Sequence, residues 1–466
     1  MNLKKLFFAI IIGLSFAACS SDDDADQSTV KEGLPTYVQL SVSMPKANSQ
    51  KALPEDFNPD GDYEGEDGIY TLDVYMVSAD GTLEAKRFQE GDLSTTGSVL
   101  SPSQPFRTTS GKKTVYVVVN SPNPLLTTVP KDDDLLAITG LAKIESDATS
   151  TYDVITMTGK TESATIEPDV TAQDVTNGAN RVAVQLTRTA SRVIVTTTAS
   201  TDIMHGTVKV GTLSNITYSI AQGTTKVYFS PKADYTTWGS SYVPTTADYA
   251  TTATNYYDYS DLLTPSVVPA KPTAADGYKS LPGKFLFENT HTPGDVKTSQ
   301  YKKGNTAYIL VRAKFTPEAS YIADGGALTN GTFYVGQTDG KLYSTKAAAQ
   351  AAVAQQKVQV YQNGKMMYYA WLNPDNITSP LNSPVLRNNI YHVNITAFAR
   401  IGGNWNPLYP EDPNNPNPQN PDPKPVNPDE PENPIDPTDP LTPEQTYMTV
   451  DITVLNWTVH SYDIEL

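Results

Sequence analysis

The sequence predicts an all-β fold with few short helices: two strand-rich domains in tandem, then a C-terminal strand on a tether. Three observations carry that expectation. Runs rich in β-branched and aromatic residues recur at 69–77, 113–120, 181–198, 216–229, 306–315, 359–372 and 389–399. Helical patterning is confined to 132–141 and to an alanine-rich stretch at 345–356. A proline-dense segment then separates 447–466, itself strongly strand-forming, from everything before it.

Taken in chain order, Lys4 and Lys5 precede an apolar run that ends in Phe16-Ala17-Ala18-Cys19, so 1–18 reads as a signal peptide. Small residues directly before a cysteine resemble a bacterial lipoprotein signal, in which Cys19 becomes the lipidated (palmitate-bearing) first residue. Phe16 stands where such signals usually carry an aliphatic side chain. Cys19 is the single cysteine of the chain, so no intramolecular disulfide can form despite the exported context. The acidic run 20–24 resembles the surface-export tag of Bacteroidales lipoproteins and also suits a plain solvated spacer.

The first strand spans 37–44 and places Val38, Leu40, Val42 and Met44 on one face. The segment after it, 45–52, lacks bulky apolar residues and is of the kind where proteolysis concentrates. Residues 52–406 suffice for two domains, divided near Asn180 into 52–180 and 181–406, where an Asp/Asn/Gly-bearing loop gives way to a long alternating strand. The run 113–120 hardly alternates and reads as an interior strand.

From 407 to 446 proline recurs about every third residue, which removes backbone donors and fixes φ. Such a tether is semi-extended polyproline II at about 3.1 Å per residue, with a reach of up to roughly 100 Å. Beyond it Met448, Val450, Ile452 and Val454 share one face; Leu455, Trp457 and Val459 take the other parity, and Tyr462, Ile464 and Leu466 shift again. A bent or bulged pair of strand segments fits that pattern. Met448 to Val454 repeats the spacing of Val38 to Met44, so the two strands could fill the same slot in a sheet. A strand this apolar must join a sheet. The tether alone leaves open whether that sheet is its own or a neighbour's.

Several stretches in order carry a resemblance over almost the whole length: Met157-Thr158-Gly159, Asn255-Tyr256-Tyr257-Asp258-Tyr259, Gly283-Lys284-Phe285-Leu286, YKKGNTAYILVRAKFTP from Tyr301, YYAWLNP from Tyr368, NSPVLRNNIYH from Asn382, NWNPLYP from Asn404 and VLNWTVHSYDIEL from Val454. The chain resembles the shaft subunit of the short fimbriae among the Bacteroidales fimbrillins, the type V pilins. That resemblance implies two transthyretin-like β-sandwich domains and export as an outer-membrane lipoprotein precursor. It further implies that a trypsin-like protease removes a propeptide, here 19–51, with its first strand, and that the emptied groove takes the terminal strand, 447–466, of another copy. Members usually carry arginine at the processing site. The first arginine here is Arg87, so the matching bond is Lys51-Ala52, with Lys46-Ala47 the second choice. The implied partners are other copies in a filament, accessory anchor and tip subunits and the maturing protease.

Composition agrees with an extracellular structural role. Thirty-four basic against 51 acidic residues leave a net charge of −17, which disfavours nucleic acid and anionic membranes as partners. His205, His291, His392 and His460 have no ligand spacing, and His392 and His460 lie in strand-like contexts where a structural role is expected. No phosphate loop, nucleophile elbow or metalloprotease motif is present, so no enzyme, cofactor or metal is predicted. The acidic stretch 56–67 lacks the order of an EF-hand and reads as a solvated loop. Trp238, Trp371 and Trp405 suit a sandwich core better than a sugar platform. An anchor or tip component and a glycan-binding surface lipoprotein are the competing functions.

Overall fold

The computed structural model describes residues 30–43, 68–96, 99–121, 123–131, 135–136, 145–146, 153–232, 236–273, 281, 283–292, 294, 298–372, 385–412, 417–426, 429, 435–441 and 448–456. Strands dominate, as the patterning predicts, and those of four or more residues are labelled β1–β19.

The first domain contains β1 (Pro35–Ser43), β2 (Thr71–Ser78), β3 (Leu83–Gln89), β4 (Leu93–Thr96), β5 (Val99–Pro102), β6 (Phe106–Thr109), β7 (Gly111–Val119), β8 (Met157–Ile166) and β9 (Arg181–Arg188). They join in the order β3-β2-β7-β8-β9-β1-β5-β4, and β6 also pairs with β1. This sheet curls around one core, in which Val74 and Val117 from one side meet Leu40 and Val184 from the other. β7 lies between β2 and β8 with Val115 to Val119 all buried, the interior position its unbroken apolar run predicts.

The second domain contains β10 (Ala190–Thr197), β11 (Asp202–His205), β12 (Val208–Ala221), β13 (Lys284–Phe287), β14 (Tyr308–Pro317), β15 (Phe333–Gly336), β16 (Val358–Tyr361), β17 (Lys365–Trp371), β18 (Asn389–Phe398) and β19 (Met448–Asn456). One sheet runs β13-β10-β18-β19 and another β11-β12-β14-β17, while β15 and β16 form a small outlying sheet with 342–343. Val193, Val393 and Ile395 of the first sheet pack against Ile220, Ile309 and Tyr368 of the second. In each domain the opening strand runs parallel to a later one, β1 beside β9 and β10 beside β18. A further apolar cluster joins the domains: Tyr116 meets Phe229 edge-on at 5.3 Å, and the Thr158 hydroxyl donates to the Phe229 carbonyl at 2.6 Å.

Three expectations need correction. The run 181–198 is two strands in two sheets, so the passage between domains falls at Thr189, later than the boundary read near Asn180. The segment 132–141 does not carry a helix through Leu135–Leu136, which pair antiparallel with Val227–Tyr228; tertiary pairing overrides local propensity there. The alanine-rich helix does form as α3 (Lys346–Ala352), with the Thr345 side chain capping the Ala348 N–H; α1 (Ala172–Thr176) and α2 (Tyr249–Tyr256) are additional.

The third correction concerns the tether. Its described parts are packed onto the second domain. Leu408 and Leu441 are 1% and 0% exposed, in a tyrosine-rich cluster with Tyr249, Tyr259, Tyr308 and Trp371. Tyr249 donates its hydroxyl to the Leu408 carbonyl at 2.9 Å, and Asn406 donates its side-chain amide to the Tyr308 hydroxyl at 3.0 Å. Asp422, whose side chain is fully buried, accepts from the Arg312 guanidinium at 2.6 and 2.8 Å, while the same guanidinium donates to Ser219 and to the Leu262 carbonyl. Further on, the Lys303 and Gly304 N–H groups donate to the carbonyls of Asp439 and Pro437 at 3.0 and 2.9 Å. A side chain at Gly304 would bring a Cβ within 2.5 Å of Pro437 and 2.9 Å of Tyr249, so glycine is what lets the proline-rich chain lie this close. Proline excludes helix and central strand; it does not exclude docking.

Candidate functional site

The site with functional potential is the slot occupied by β1. Val38, Leu40 and Val42 are 0%, 1% and 0% exposed, so the predicted face points into the first domain's core. Met44, the fourth residue of that face, lies outside the described residues. β1 is paired on both sides. Along one side Gln39 to Ser43 run parallel to Arg181 to Gln185 of β9. Along the other, Pro35 to Val38 lie antiparallel to β6, and Val42 and Ser43 antiparallel to β5.

Side chains add to these ladders. Asn180, at a left-handed φ of 45°, donates its amide to the Thr36 hydroxyl at 3.1 Å and to the carbonyls of Tyr37 and Glu167 at 2.9 Å. Asparagine tolerates that backbone and supplies the amide. Thr36 in turn donates to Glu167 at 2.8 Å, Gln39 donates to Pro102 at 2.7 Å, and Arg107 donates to the Tyr37 hydroxyl at 2.8 Å. Removal of β1 would therefore expose an apolar trough and two unpaired strand edges with opposite directional demands: an occupant must run parallel to β9 and antiparallel to β6.

The second component is β19, which carries Met448, Val450, Ile452, Val454 and Leu455 of the predicted terminal strand. It lies antiparallel to β18, with Met448 opposite Phe398 and Asn456 opposite Asn389 and a register shift between Ile395 and Ala397. Met448 is buried in the second domain's core. Among the described residues β19 is the last strand of its sheet and is paired on one side only. The structure thus seats this strand on its own domain and does not bring it to the β1 slot. Trp457, Val459, Tyr462, Ile464 and Leu466 lie outside the described residues, as do Cys19, Lys46, Lys51, Ala52 and the acidic stretch 56–67.

The described histidines do not converge. His392 on β18 is buried against the Thr196 hydroxyl at 2.8 Å, and burial holds its pKa down at about 4. His291 sits between the carbonyls of Ser240 and Asn305 at 3.0 and 2.8 Å, and burial lowers its pKa too. His205 is exposed beside the Tyr321 hydroxyl; His460 lies outside the described residues. Among the described residues no group of three or more His, Cys, Asp or Glu could hold a metal ion. Trp371 belongs to the tyrosine-rich core, Trp405 packs against it, and Trp238 stacks on Tyr256 and lies under the Lys226 ammonium. The residues that patterning missed are Asn180, Arg312, Gly304 and Asp422; each works through partners distant in sequence.

A model for the major fimbrial subunit protein (FimA) matches residues 38–188, ending where β9 ends, and one for the C-terminal part of the type IV major fimbrial subunit protein, fimbrillin, matches 359–463. The chain belongs to the fimbrillin family of fimbrial subunits, whose members build cell-surface fimbriae. Among its relatives is the minor fimbrium subunit Mfa1 of Porphyromonas gingivalis, 36% identical over 516 aligned positions that cover 100% of both chains. Solved structures that match include a fimbrilin (FimA) of Porphyromonas gingivalis, at 14% identity and TM-score 0.45 over 92% of this chain and 99% of that one. Another is the fimbrial anchor protein Mfa2 of the same organism, at 10% identity and TM-score 0.27 over 77% and 90%.

Proposed function

We propose that this chain is the structural shaft subunit of a type V fimbria that polymerises by strand exchange. It is exported as a lipoprotein acylated at Cys19, held in the outer membrane as precursor, and cut by a trypsin-like protease after Lys51. The cut removes β1. The terminal strand beginning at Met448 then passes from its own β18 into the emptied slot of a second copy, and the filament supports adhesion. Other copies, with accessory anchor and tip subunits at the ends, are its partners.

The observation that carries this reading is the inequality of the two sites. Among the described residues the terminal strand has one ladder, on β18, whereas the β1 slot offers two. Transfer loses one ladder and gains two, and it covers apolar trough otherwise left open to water. Burying about eight apolar side chains is worth of order 10–20 kcal/mol gross, before the entropy of ordering. A strand parked at an edge and matched in apolar spacing to an interior slot is poised for such a move.

The test is deletion of 447–466. The expected result is a secreted, folded monomer without filaments; fibres of normal length in that strain would refute donation by this segment. A non-polymerising anchor or tip component is the second reading, favoured by the docking of β19 on its own domain, and it predicts that shaft fibres persist without this segment.

A further inference from the structure

We infer that the proline-rich segment stays fastened to its own second domain inside the filament. The donated strand then leaves from Leu441 on a leash of six residues, 442–447. This rests on the strand-donation reading and deepens it by fixing where the partner copy must lie. The seven residue steps from Leu441 to Met448, fully extended, span at most about 25 Å. The partner's emptied β1 slot must therefore open within that distance of Leu441, against the same end of the second domain, and not anywhere within the roughly 100 Å sphere that a free tether would allow.

The fastenings lie upstream of the strand and are independent of it. Asp422 is sealed against Arg312 between β14 and the loop at Leu262, so lifting it would strand a buried guanidinium without its counter-charge. Leu408 and Leu441 fill the tyrosine-rich cluster, and losing them would open cavities among Tyr249, Tyr259 and Tyr308. The backbone of Lys302 to Gly304 forms a short antiparallel pairing with Pro437 to Pro440, backed by the Lys303 ammonium on Asp439 at 3.1 Å. None of these contacts involves β18 or β19. The strand can be unzipped from β18 without disturbing them. A short leash on a fixed anchor holds consecutive subunits at a set angle and spacing, whereas a free tether would make a string of loosely linked bodies.

The Lys303–Asp439 pair allows a test on unaltered protein. Monomer and purified fibres are treated with a zero-length carbodiimide, which joins an amine to a carboxylate in contact, and the Lys303–Asp439 peptide is quantified by mass spectrometry. Fibres assembled from a mixture of isotopically light and heavy subunits distinguish links within one subunit from links between two. The expected result is the same-subunit link in fibres at the yield found in monomer. Its loss on assembly, or its appearance between differently labelled subunits, would overturn the proposal. Failure of the underlying reading shows elsewhere: the 447–466 deletion keeps residues up to Leu441 and their cross-link, and normal fibres from it would refute strand donation while leaving the fastening in place.

Discussion

His392 lies in the middle of β18, between β10 and β19, where burial disfavours the imidazolium and holds the pKa near 4. The unfolded chain takes up that proton near pH 6.5. The unfolded state therefore binds more protons across the window from about 6.5 down to 4, and native stability falls as the pH is lowered through it. His291 contributes in the same direction for the same reason. The His392 contribution is roughly 3 kcal/mol at the acid end of that window. Replacement by Gln keeps a polar partner for Thr196 and removes the titration. The drop in Tm of the soluble precursor between pH 7 and pH 4.5 should be smaller in His392→Gln than in the wild type; equal drops would show that the histidine does not carry the effect. The strand context of His392 in the sequence announces a structural residue, and that is where the structure puts it. Asp422 announces nothing: its counter-charge, Arg312, lies 110 positions earlier, and one acid among many in an acidic, proline-rich run has no local mark of burial.

At the scale of elements, alternation is what made the two decisive strands legible. β1 buries every second side chain, and β9 does the same at Val182, Val184 and Leu186. β10 follows with no turn residue between and is buried on both faces, so the run 181–198 reads as one strand; only the loss of alternation after Leu186 marks the change of sheet. The docking of the tether leaves no mark in its composition, because proline content reports which backbone hydrogen bonds cannot form and is silent about where side chains such as Leu408 and Leu441 can pack. β1 and β19 also differ in what a mutation should do to the life of the molecule. Truncation of the fully buried Leu40 to Ala should cost the precursor about 2–5 kcal/mol. If β1 is discarded at maturation, fibres from Leu40→Ala should resist heat and detergent as wild-type fibres do, although the precursor melts earlier. Fibres weakened in step with the precursor would mean that β1 remains in the mature subunit.

At the scale of the whole molecule, slot and strand are different surfaces on different domains, so the contact proposed between copies is heterologous. Such a contact propagates head to tail and closes into a ring only if the rotation per subunit happens to return on itself; otherwise it yields an open filament. In the proposed scheme, what would prevent filaments from forming before export is the occupant of the slot. β1 holds it by two ladders, a buried apolar face and the Asn180 amide, so an incoming strand has no edge to start from. The proposed cleavage after Lys51 would release that occupant from the body of the chain, and assembly should depend on it. Lys51→Ala should accumulate on the cell as acylated, full-length precursor with no fibres, whereas wild-type fibres should begin at Ala52 on N-terminal sequencing. Unimpaired fibres that begin at Ala47 would move the cut to Lys46, and Lys46→Ala combined with Lys51→Ala should then block assembly. Fibres whose subunits still contain 35–43 would end the scheme altogether, because a slot that is never emptied cannot be filled by a neighbour.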